Sequence, residues 1–478
     1  MRIRRVPGFF SPVGPVSLPL RGLNRRPSRF SSCAARELRS RLQNVARLFE
    51  DTAKRWAILC LAVAVSSTIV FQAGKLSLAW YWQRSGQIGK QIRAAELVPG
   101  DARAWEQLGE AAQFNFNEAD PARAISYYLR AVTINPLSAV HWVELANAYE
   151  ATGNVLDAKE AYENAKRDYP VSADVAWKYG NFLLRQGQTT QGLAEIHRAL
   201  LHDSSLTALA IRSVWNFDPD VHSILDSVLP ADKDADFAAL NFFISIHQTD
   251  AELEAWRRIV PLSRQTPIDL KRSFPLLDDL IAQDRSKDAE NVWREALQAS
   301  RWPAAPPVDD SIVWNGGFEA PLANGGLDWR FDEPPGVYIS VDSSVHHSGS
   351  RSLRIGFTGG VNMDFDHVQQ IEPAQPNTTY EFQAYVRMVR ISTDSGVHFE
   401  LFDPQRQGQV YVLTPNMVGS TPWIAVRAEV TTSPQTHFLA IRVHRFPTRL
   451  FDNKINGTMW IDDVTLTPKP TKSNRASP

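Results

Sequence analysis

The spacing of apolar residues changes twice along the chain. Residues 56–73 form an apolar run, W-A-I-L-C-L-A-V-A-V-S-S-T-I-V-F-Q-A, that contains no charged side chain. Between about residues 95 and 300, apolar positions recur at intervals of three and four, which is typical of amphipathic helices. Beyond residue 311 the interval shortens to two, as in strands with one buried face. The pattern predicts one very apolar helix, a helical region and a β-domain.

The apolar run is long enough to cross a membrane. Its 18 residues are followed by Lys75 and by L-A-W-Y-W at 78–82. A helix of this length, rising about 1.5 Å per residue, nearly spans a hydrocarbon core of about 30 Å, and the apolar continuation supplies the rest. The aromatic residues are typical of a membrane interface. We therefore predict a transmembrane helix and interfacial belt over residues 56–82.

Charge is distributed unevenly around this span. Residues 1–55 hold 13 of the 51 Lys and Arg residues and 3 of the 52 acidic residues. The positive-inside rule then predicts a cytoplasmic tail at 1–55, a single span in the inner membrane and extracytoplasmic domains after it. The prolines and glycines of the tail predict that it is disordered. An Arg-rich, nearly acid-free head is also typical of an organellar transit peptide, and cleavage of the span as a signal peptide stays open. The acidic remainder argues against nucleic-acid binding.

A sequence repeat organises the helical region. Small and large residues alternate at fixed positions in three stretches, of which the last two are 34 residues apart. The positions are Trp105, Leu108, Gly109, Ala124, Tyr128, Ala131 and Pro136; Trp142, Leu145, Ala146, Tyr149, Gly153, Ala158, Tyr162, Ala165 and Pro170; and Tyr179, Gly180, Leu183, Gly187, Gly192, Ile196 and Ala199. The pattern resembles the tetratricopeptide-repeat (TPR) family over residues 95–204. Residues 205–300 keep the helical period and are predicted to be degenerate repeats.

The TPR resemblance implies a concave groove that binds a protein or peptide. Groove-facing positions on the first helix of each repeat correspond to Arg103, Glu106, Asn147, Trp177 and Asn181. The two asparagines favour recognition because Asn is mildly disfavoured inside helices, whereas Trp177 is equally typical of a packing residue. The expected partners are envelope proteins.

A Pro-rich segment, R-W-P-A-A-P-P-V at 301–308, ends the helical pattern and predicts a linker over residues 301–310. After it, alternating stretches at 380–388, 397–401, 409–413 and 437–444 predict an antiparallel β-sandwich over residues 311–468. The N-G-G turn at 315–317 is expected to end a lead-in strand and to direct Phe318 into the core. Residues 469–478 are predicted to be a disordered tail.

Four short motifs add a family resemblance to this sandwich. N-G-G-F-E at 315–319, G-L-D-W at 326–329, H-S-G-S-R-S-L-R-I at 347–355 and W-I-D-D-V-T-L at 460–466 resemble jelly-roll carbohydrate-binding modules of the cellulose- and xylan-binding type. The resemblance implies a structural calcium ion held by Glu319 and Asp463, because Ca²⁺ takes hard oxygen ligands. The alternative is a surface turn without an ion.

The strand alternation also predicts a binding face. Polar and aromatic residues fall on the side opposite the apolar one, and sugars stack on aromatic rings while polar side chains bond their hydroxyls. The predicted sugar-binding residues are Tyr385, Arg387, His398, Glu400, Arg442 and His444. Tyr411, Trp329 and Trp423 are candidate rim residues.

Catalytic signatures are missing from the sequence. It contains no H-E-x-x-H, G-x-S-x-G, P-loop or G-x-G-x-x-G motif, and its two cysteines, Cys33 and Cys60, precede the predicted domains. We expect a non-catalytic protein in which an α-helical TPR solenoid precedes an antiparallel jelly roll, with one N-terminal transmembrane helix. This architecture resembles bacterial envelope proteins associated with exopolysaccharide assembly. The alternative is a pure protein scaffold whose sandwich binds no sugar.

Overall fold

The computed structural model describes residues 37, 39–43, 52–114 and 119–469. The predicted tails at 1–55 and 469–478 lie almost entirely outside these residues, as does Cys33. The chain divides into two compact units, residues 1–135 and residues 136–478. Each unit is described by itself.

In the first unit, the described residues 37 and 39–43 are helical, and they are followed by α1 (Thr52–Gln83), α2 (Ile88–Leu97), α3 (Ala102–Phe114) and α4 (Pro121–Ile134). Within Lys54–Gln83 of α1, an 18-residue stretch reaches a mean hydropathy of 2.0, and the helix is long and apolar enough to cross a membrane. A single span and a signal sequence both have this property.

The first repeat folds as the predicted helix pair, α3 and α4. Asp120 caps α4 by accepting a hydrogen bond from the backbone N–H of Arg123 at 3.0 Å, and Pro121 begins the helix. A Cβ at Gly109 would lie 2.5 Å from the Tyr128 ring. The small and large positions of the repeat therefore meet as expected.

The second unit begins with two further antiparallel helix pairs, α5 (Ala139–Ala151) with α6 (Val155–Asp168), and α7 (Ala173–Arg185) with α8 (Thr189–His202). Gly180 allows the second pair to approach closely, because a Cβ there would lie 2.8 Å from Ile196. Arg185 joins neighbouring pairs through a two-pronged salt bridge to Glu150, at 2.7 and 2.8 Å. The predicted TPR fold is confirmed.

Residues 205–300 continue as helices. Helix α9 (Thr207–Phe217) precedes a π-helical turn at Ser223–Val228. Two antiparallel pairs follow, and the 288–297 stretch lies in the last helix. They are α10 (Lys233–Ser245) with α11 (Thr249–Leu262), and α12 (Phe274–Ala282) with α13 (Ser286–Ser300). The helical prediction is confirmed, and the structure supplies the helix pairing.

The C-terminal part forms the predicted β-sandwich. Its strands are β1 (Arg330–Phe331), β2 (Val337–Asp342), β3 (Ser352–Thr358), β4 (Phe365–Pro373), β5 (Thr379–Ser392), β6 (His398–Phe402), β7 (Tyr411–Leu413), β8 (Gly419–Thr431), β9 (Phe438–Arg445) and β10 (Asn456–Pro468). Sheet A has the order β1-β4-β9-β6-β7 and sheet B the order β2-β3-β10-β5-β8, with antiparallel pairing throughout.

Residues predicted to face inward are buried between the two sheets. They are Tyr380, Phe382, Ala384, Val386, Val397, Phe399, Leu401, Leu439, Ile441 and Val443. The period-two alternation therefore separated inner from outer side chains correctly.

The N-G-G turn directs an aromatic side chain into this core. Phe318 is fully buried, and its ring centroid lies 5.2 Å from that of Trp329. A Cβ at Gly316 would lie 2.1 Å from the Val464 carbonyl oxygen, so glycine is required there. The expected lead-in strand is wrong, because residues before the turn have no strand conformation. Ile312 donates one backbone hydrogen bond to Leu466 instead.

The predicted linker is packed between helices and sandwich. Trp302 is half-buried against the helical core, and the Ala305 carbonyl accepts a hydrogen bond from Asn315 N–H at 3.0 Å. The Trp293 ring on α13 meets the Trp314 ring edge-on, with centroids 6.3 Å apart. The helices of this unit and the sandwich consequently share one hydrophobic cluster.

This cluster covers part of sheet A. Phe438 lies on the outer face of β9, yet it is fully buried among helical residues. Polar contacts also join the sandwich to the helical part, since Arg330 binds Asp278 at 2.7 Å and Arg406 binds Asp284 at 2.5 Å. Only the remainder of sheet A's outer face is open to a ligand.

Candidate functional site

The six predicted sugar-binding residues lie on two opposite outer faces. Sheet A carries His398 and Glu400 on β6, with Arg442 and His444 on β9. Sheet B carries Tyr385 and Arg387 on β5. The expectation that all six share one face is therefore wrong. Alternation distinguishes inside from outside along a strand, but it does not identify the sheet that the strand joins.

On sheet A, Glu400 is the centre of a connected polar group. Its buried Oε2 accepts hydrogen bonds from Arg442 Nε at 2.6 Å and from His444 Nδ1 at 3.0 Å. His444 Nε2 lies 2.9 Å from Asp364 Oδ1. Arg442 also lies 3.6 Å from Asp366. We call Asp364, Asp366, Glu400, Arg442 and His444 the sheet-A cluster.

The cluster stabilises Glu400 as a carboxylate. Burial alone would raise the pKa of Glu400, but hydrogen bonds from Arg442 and Tyr411 and the charge of Arg442 hold that pKa below its ordinary value. The pKa of Tyr411 is raised by its burial and by the neighbouring Glu400 carboxylate. The face therefore carries a fixed charge pattern in which Arg442 and His444 contact three carboxylates.

Aromatic rings border the sheet-A cluster. Arg442 lies over the Phe402 ring at 4.5 Å, and Phe446 packs on His444 with centroids 3.9 Å apart. Tyr411 on β7 is 51% exposed. A shallow depression of about 350 Å³ adjoins Arg442 and extends to Gln369. Exposed rings next to directed polar groups are what a sugar chain requires.

Sheet B presents a different group. Tyr385 stacks on His347 at 3.6 Å, and His347 meets the Trp423 ring at 5.7 Å. Arg387 lies beside Trp460 at 5.8 Å. Of the candidate rim residues, Trp423 is half-exposed on this face, whereas Trp329 is buried in the core and has no access to a ligand.

The predicted calcium ligands, Glu319 and Asp463, contact the loop at 347–351. Glu319 accepts hydrogen bonds from Ser350 N–H and Oγ at 2.7 and 2.6 Å, and Asp463 accepts one from Ser348 Oγ at 2.7 Å. Neighbouring Asp462 is buried, and burial followed by the Asp463 charge raises its pKa to about 6.

Three carboxylates around one loop are a donor set of hard oxygens that suits calcium. In the structure, however, N–H and O–H groups of the loop satisfy them. Within the described ranges, no group of three or more His, Cys, Asp or Glu residues is arranged to hold a metal ion. Calcium binding by Glu319 and Asp463 stays a prediction.

The predicted groove asparagines have partners inside the protein. Asn147 Oδ1 accepts a hydrogen bond from the buried Tyr162 hydroxyl at 2.6 Å. Asn181 Oδ1 accepts one from Ser213 at 2.9 Å, and its Nδ2 donates to the Trp177 carbonyl at 2.8 Å. The Trp177 side chain is half-buried against the helical core. These residues therefore support the helices as well as lining their first-helix surfaces.

Arg103 and Glu106 lie on α3, in the first unit. Arg103 is exposed and Glu106 is half-buried. Groove binding by these two residues stays a prediction, as it does for Asn147, Trp177 and Asn181.

Sequence reasoning missed several members of both faces. Asp364 and Phe446 belong to the sheet-A cluster and its border, but they lie in loops, where alternation assigns no face. The D-D pair at 462–463 is visible in the sequence, but the sequence does not show that Asp462 is buried beside the predicted ligand Asp463. Trp460 lies within a sequence motif, and its place between two arginines depends on strand pairing.

Comparison with known proteins agrees with this two-part structure. Residues 310–446 match the family model described as "Carbohydrate binding domain", which covers less than half of the chain. The carbohydrate-binding resemblance of the sandwich is thereby confirmed. Comparison with curated proteins gives no significant match.

Solved structures similar to the chain fall into two groups. A TPR protein, YrrB, with an unusual peptide-binding site is 16% identical, with a TM-score of 0.23, over 44% of this chain and 92% of that one. The CBM22-1 xylan-binding domain of Paenibacillus barcinonensis Xyn10C is 15% identical, with a TM-score of 0.24, over 33% and 93%. Of these comparisons, the family model over residues 310–446 is the one that bears on function.

Proposed function

We propose that this protein is a membrane-anchored, non-catalytic binding protein of the cell envelope. Its sandwich binds a polysaccharide across the open part of sheet A, and its TPR helices bind protein partners. The apolar helix α1, preceded by the basic head, supports an anchor with the N-terminus in the cytoplasm and the later domains outside it. A role in exopolysaccharide assembly is consistent with that placement.

The observation that carries the sugar-binding proposal is the sheet-A cluster beside Tyr411. The segment that matches the carbohydrate-binding family includes every strand of sheet A. Phe402 and Tyr411 offer rings to the apolar faces of sugar residues, while the nearby carboxylates and Arg442 offer acceptors and donors to hydroxyls. Because the sheet-A cluster holds three carboxylates against one arginine and one histidine, it disfavours a polyanion and suits a neutral, extended polymer.

The same geometry supports a non-catalytic role. A glycosidase acid must hold a proton, which requires a raised pKa. The pKa of Glu400 is lowered, and the carboxylate is engaged by Arg442 and His444. Glu400 therefore acts as a fixed acceptor that orients neighbouring donors.

Titration calorimetry of the full chain in detergent micelles with oligosaccharides of xylan and of cellulose tests the sugar site. Tyr411→Ala should weaken binding about 5- to 150-fold, which corresponds to roughly 1–3 kcal/mol for one stacking aromatic. Tyr338→Ala is the matched control, since Tyr338 is 66% exposed on β2 of the opposite sheet. Its affinity should equal that of the parent protein.

Two results would count against the sugar site. If the folded parent retains neither polymer at millimolar concentration, the sandwich is structural and the scaffold alternative takes its place. If both tyrosine variants lose affinity equally, binding is not localised on sheet A.

A further inference from the structure

The outer face of sheet B carries a second surface, which the proposed function does not use. Trp460 lies on the central strand β10, directly opposite Arg354 on β3 and Arg387 on β5. The two guanidinium groups lie 6.0 and 5.8 Å from the Trp460 ring. We call Arg354, Trp460 and Arg387 the Arg–Trp stripe.

The ring in this stripe is held in place by a hydrogen bond. Trp460 Nε1 donates a hydrogen bond to Asp342 Oδ2 at 2.9 Å. Asp342 also accepts hydrogen bonds from the Ser344 hydroxyl and N–H, at 2.6 and 2.8 Å. The indole is therefore oriented before any ligand binds, and its half-exposed surface stays available for stacking.

The arginines of the stripe are not neutralised by the protein. Within the part of the chain that the structure describes, neither Arg354 nor Arg387 forms a salt bridge. Other charges on the same sheet are engaged: Arg427 bonds Gln383 at 2.7 Å, and Lys469 pairs with Glu429. The stripe thus carries two positive charges around an aromatic ring, offset in part by the Asp342 carboxylate that accepts the indole hydrogen bond.

The spacing of the stripe suits a polymer. Because β3 and β5 flank β10, the two arginines lie two strand spacings apart, roughly 10 Å. The aromatic group of Tyr385, His347 and Trp423 continues the surface toward β8. A guanidinium group binds a carboxylate with two parallel hydrogen bonds, and an indole stacks on the apolar face of a sugar ring.

We propose that the Arg–Trp stripe is a second binding site, specific for acidic polysaccharides that carry uronate carboxylates. The chain runs across the strands, with a sugar ring on Trp460 and carboxylates on Arg354 and Arg387. This goes beyond the proposed function, because it concerns the opposite sheet and a charged polymer, and it does not need the sheet-A site.

Biolayer interferometry tests the proposal, with the full chain in detergent micelles and immobilised polygalacturonate, at low and physiological ionic strength. Arg354→Ala with Arg387→Ala should lower affinity about 100-fold, roughly tenfold for each lost guanidinium–carboxylate pair. Arg354→Lys with Arg387→Lys keeps both charges but loses the two-pronged geometry, so it should recover only part of that loss.

Arg427→Ala is the matched control, because it removes an equal charge from the same face outside the stripe. It should change the affinity for polygalacturonate by less than about twofold. A loss as large as that of the double variant would show general attraction to a polyanion and overturn the proposal. Equal binding of dextran sulfate or DNA that depends equally on Arg427 would overturn it too.

The two sites are separable. Tyr411→Ala should weaken xylan binding and leave polygalacturonate binding intact, whereas the double arginine variant should do the reverse. If the parent binds polygalacturonate no more tightly than xylan, the stripe proposal fails while the sheet-A proposal stands. Thermal unfolding of each variant confirms that it is folded.

Discussion

The two outer faces of the sandwich are built from similar residue types, but their arginines are paired with a carboxylate on sheet A and unpaired on sheet B in the described part of the chain. On sheet A, Arg442 and His444 are bonded to Glu400, and helices cover the region around Phe438. On sheet B, Arg354 and Arg387 flank Trp460 without a carboxylate partner in the described part of the chain. An arginine side chain is thus a structural group on sheet A and an available hydrogen-bond donor on sheet B.

The difference follows from strand pairing. Arg442 meets Glu400 because β9 pairs with β6, whereas Arg354 and Arg387 meet Trp460 because β10 lies between β3 and β5. Partner choice across strands, more than residue type, decides whether a charge is satisfied internally. This predicts that equivalent substitutions on the two faces will affect stability and binding in opposite proportions.

The largest contrast should come from aromatic residues. Phe438→Ala on sheet A removes a fully buried side chain from the cluster shared with the helices, and it should destabilise the protein by about 3–5 kcal/mol. Tyr338→Ala on sheet B removes an exposed ring, so the change should stay within about 0.5 kcal/mol. Urea unfolding of both variants measures the difference. Equal effects would mean that the helices do not stabilise sheet A.

A smaller contrast should come from arginine. Arg442→Met leaves the buried Glu400 carboxylate without its main partner and should cost about 2–3 kcal/mol. Arg387→Met removes a half-exposed group beside Trp460 and should cost less than about 1 kcal/mol. Urea unfolding midpoints at neutral pH provide the comparison. A costly Arg387→Met would show that the stripe is structural.

These contrasts also mark what the sequence could predict. Pairs such as Gly109 with Tyr128 are local, so the repeat pattern predicted helix pairs correctly. Alternation separated core residues such as Phe382 and Phe399 from the outer ones. It could not assign Tyr385 and His398 to different sheets, because strand order is a non-local property. Nor could it show that Phe438 is covered by helices.

The pH dependence of stability should have opposite signs for one carboxylate of each sheet. Glu400 on sheet A has a lowered pKa, so the stability it contributes is present above its unfolded pKa and is lost as pH falls through the folded pKa. Asp462 on sheet B has its pKa raised to about 6, so the unfolded state loses its proton first and stability falls as pH rises from about 4 to 6.

Thermal unfolding between pH 3.5 and 7 distinguishes these two contributions. Glu400→Gln should remove the loss of stability that the parent shows as pH falls through the folded pKa of Glu400. Asp462→Asn should reduce the decrease in stability with rising pH between about pH 4 and 6. The slope is the informative quantity, since each substitution also changes hydrogen bonds. If stability depends on pH identically in the parent and the variants, Glu400 and Asp462 do not contribute to that dependence as predicted.

The smallest expected effect concerns calcium, whose predicted ligand Asp463 lies on β10 of sheet B. If Glu319 and Asp463 hold the ion next to Asp462, calcium at tenfold excess over its Kd should stabilise the folded protein by about 1.4 kcal/mol at pH 7. The gain should shrink below pH 6, because Asp462 then holds a proton and attracts the ion less. Differential scanning calorimetry with calcium and with a chelator measures both effects.

Asp463→Asn should abolish the calcium-dependent shift, while Asp364→Asn, which removes an exposed carboxylate of the sheet-A cluster, should preserve it. A shift that survives Asp463→Asn, or no shift in the parent, would leave both predicted ligands as partners of the 347–351 loop alone.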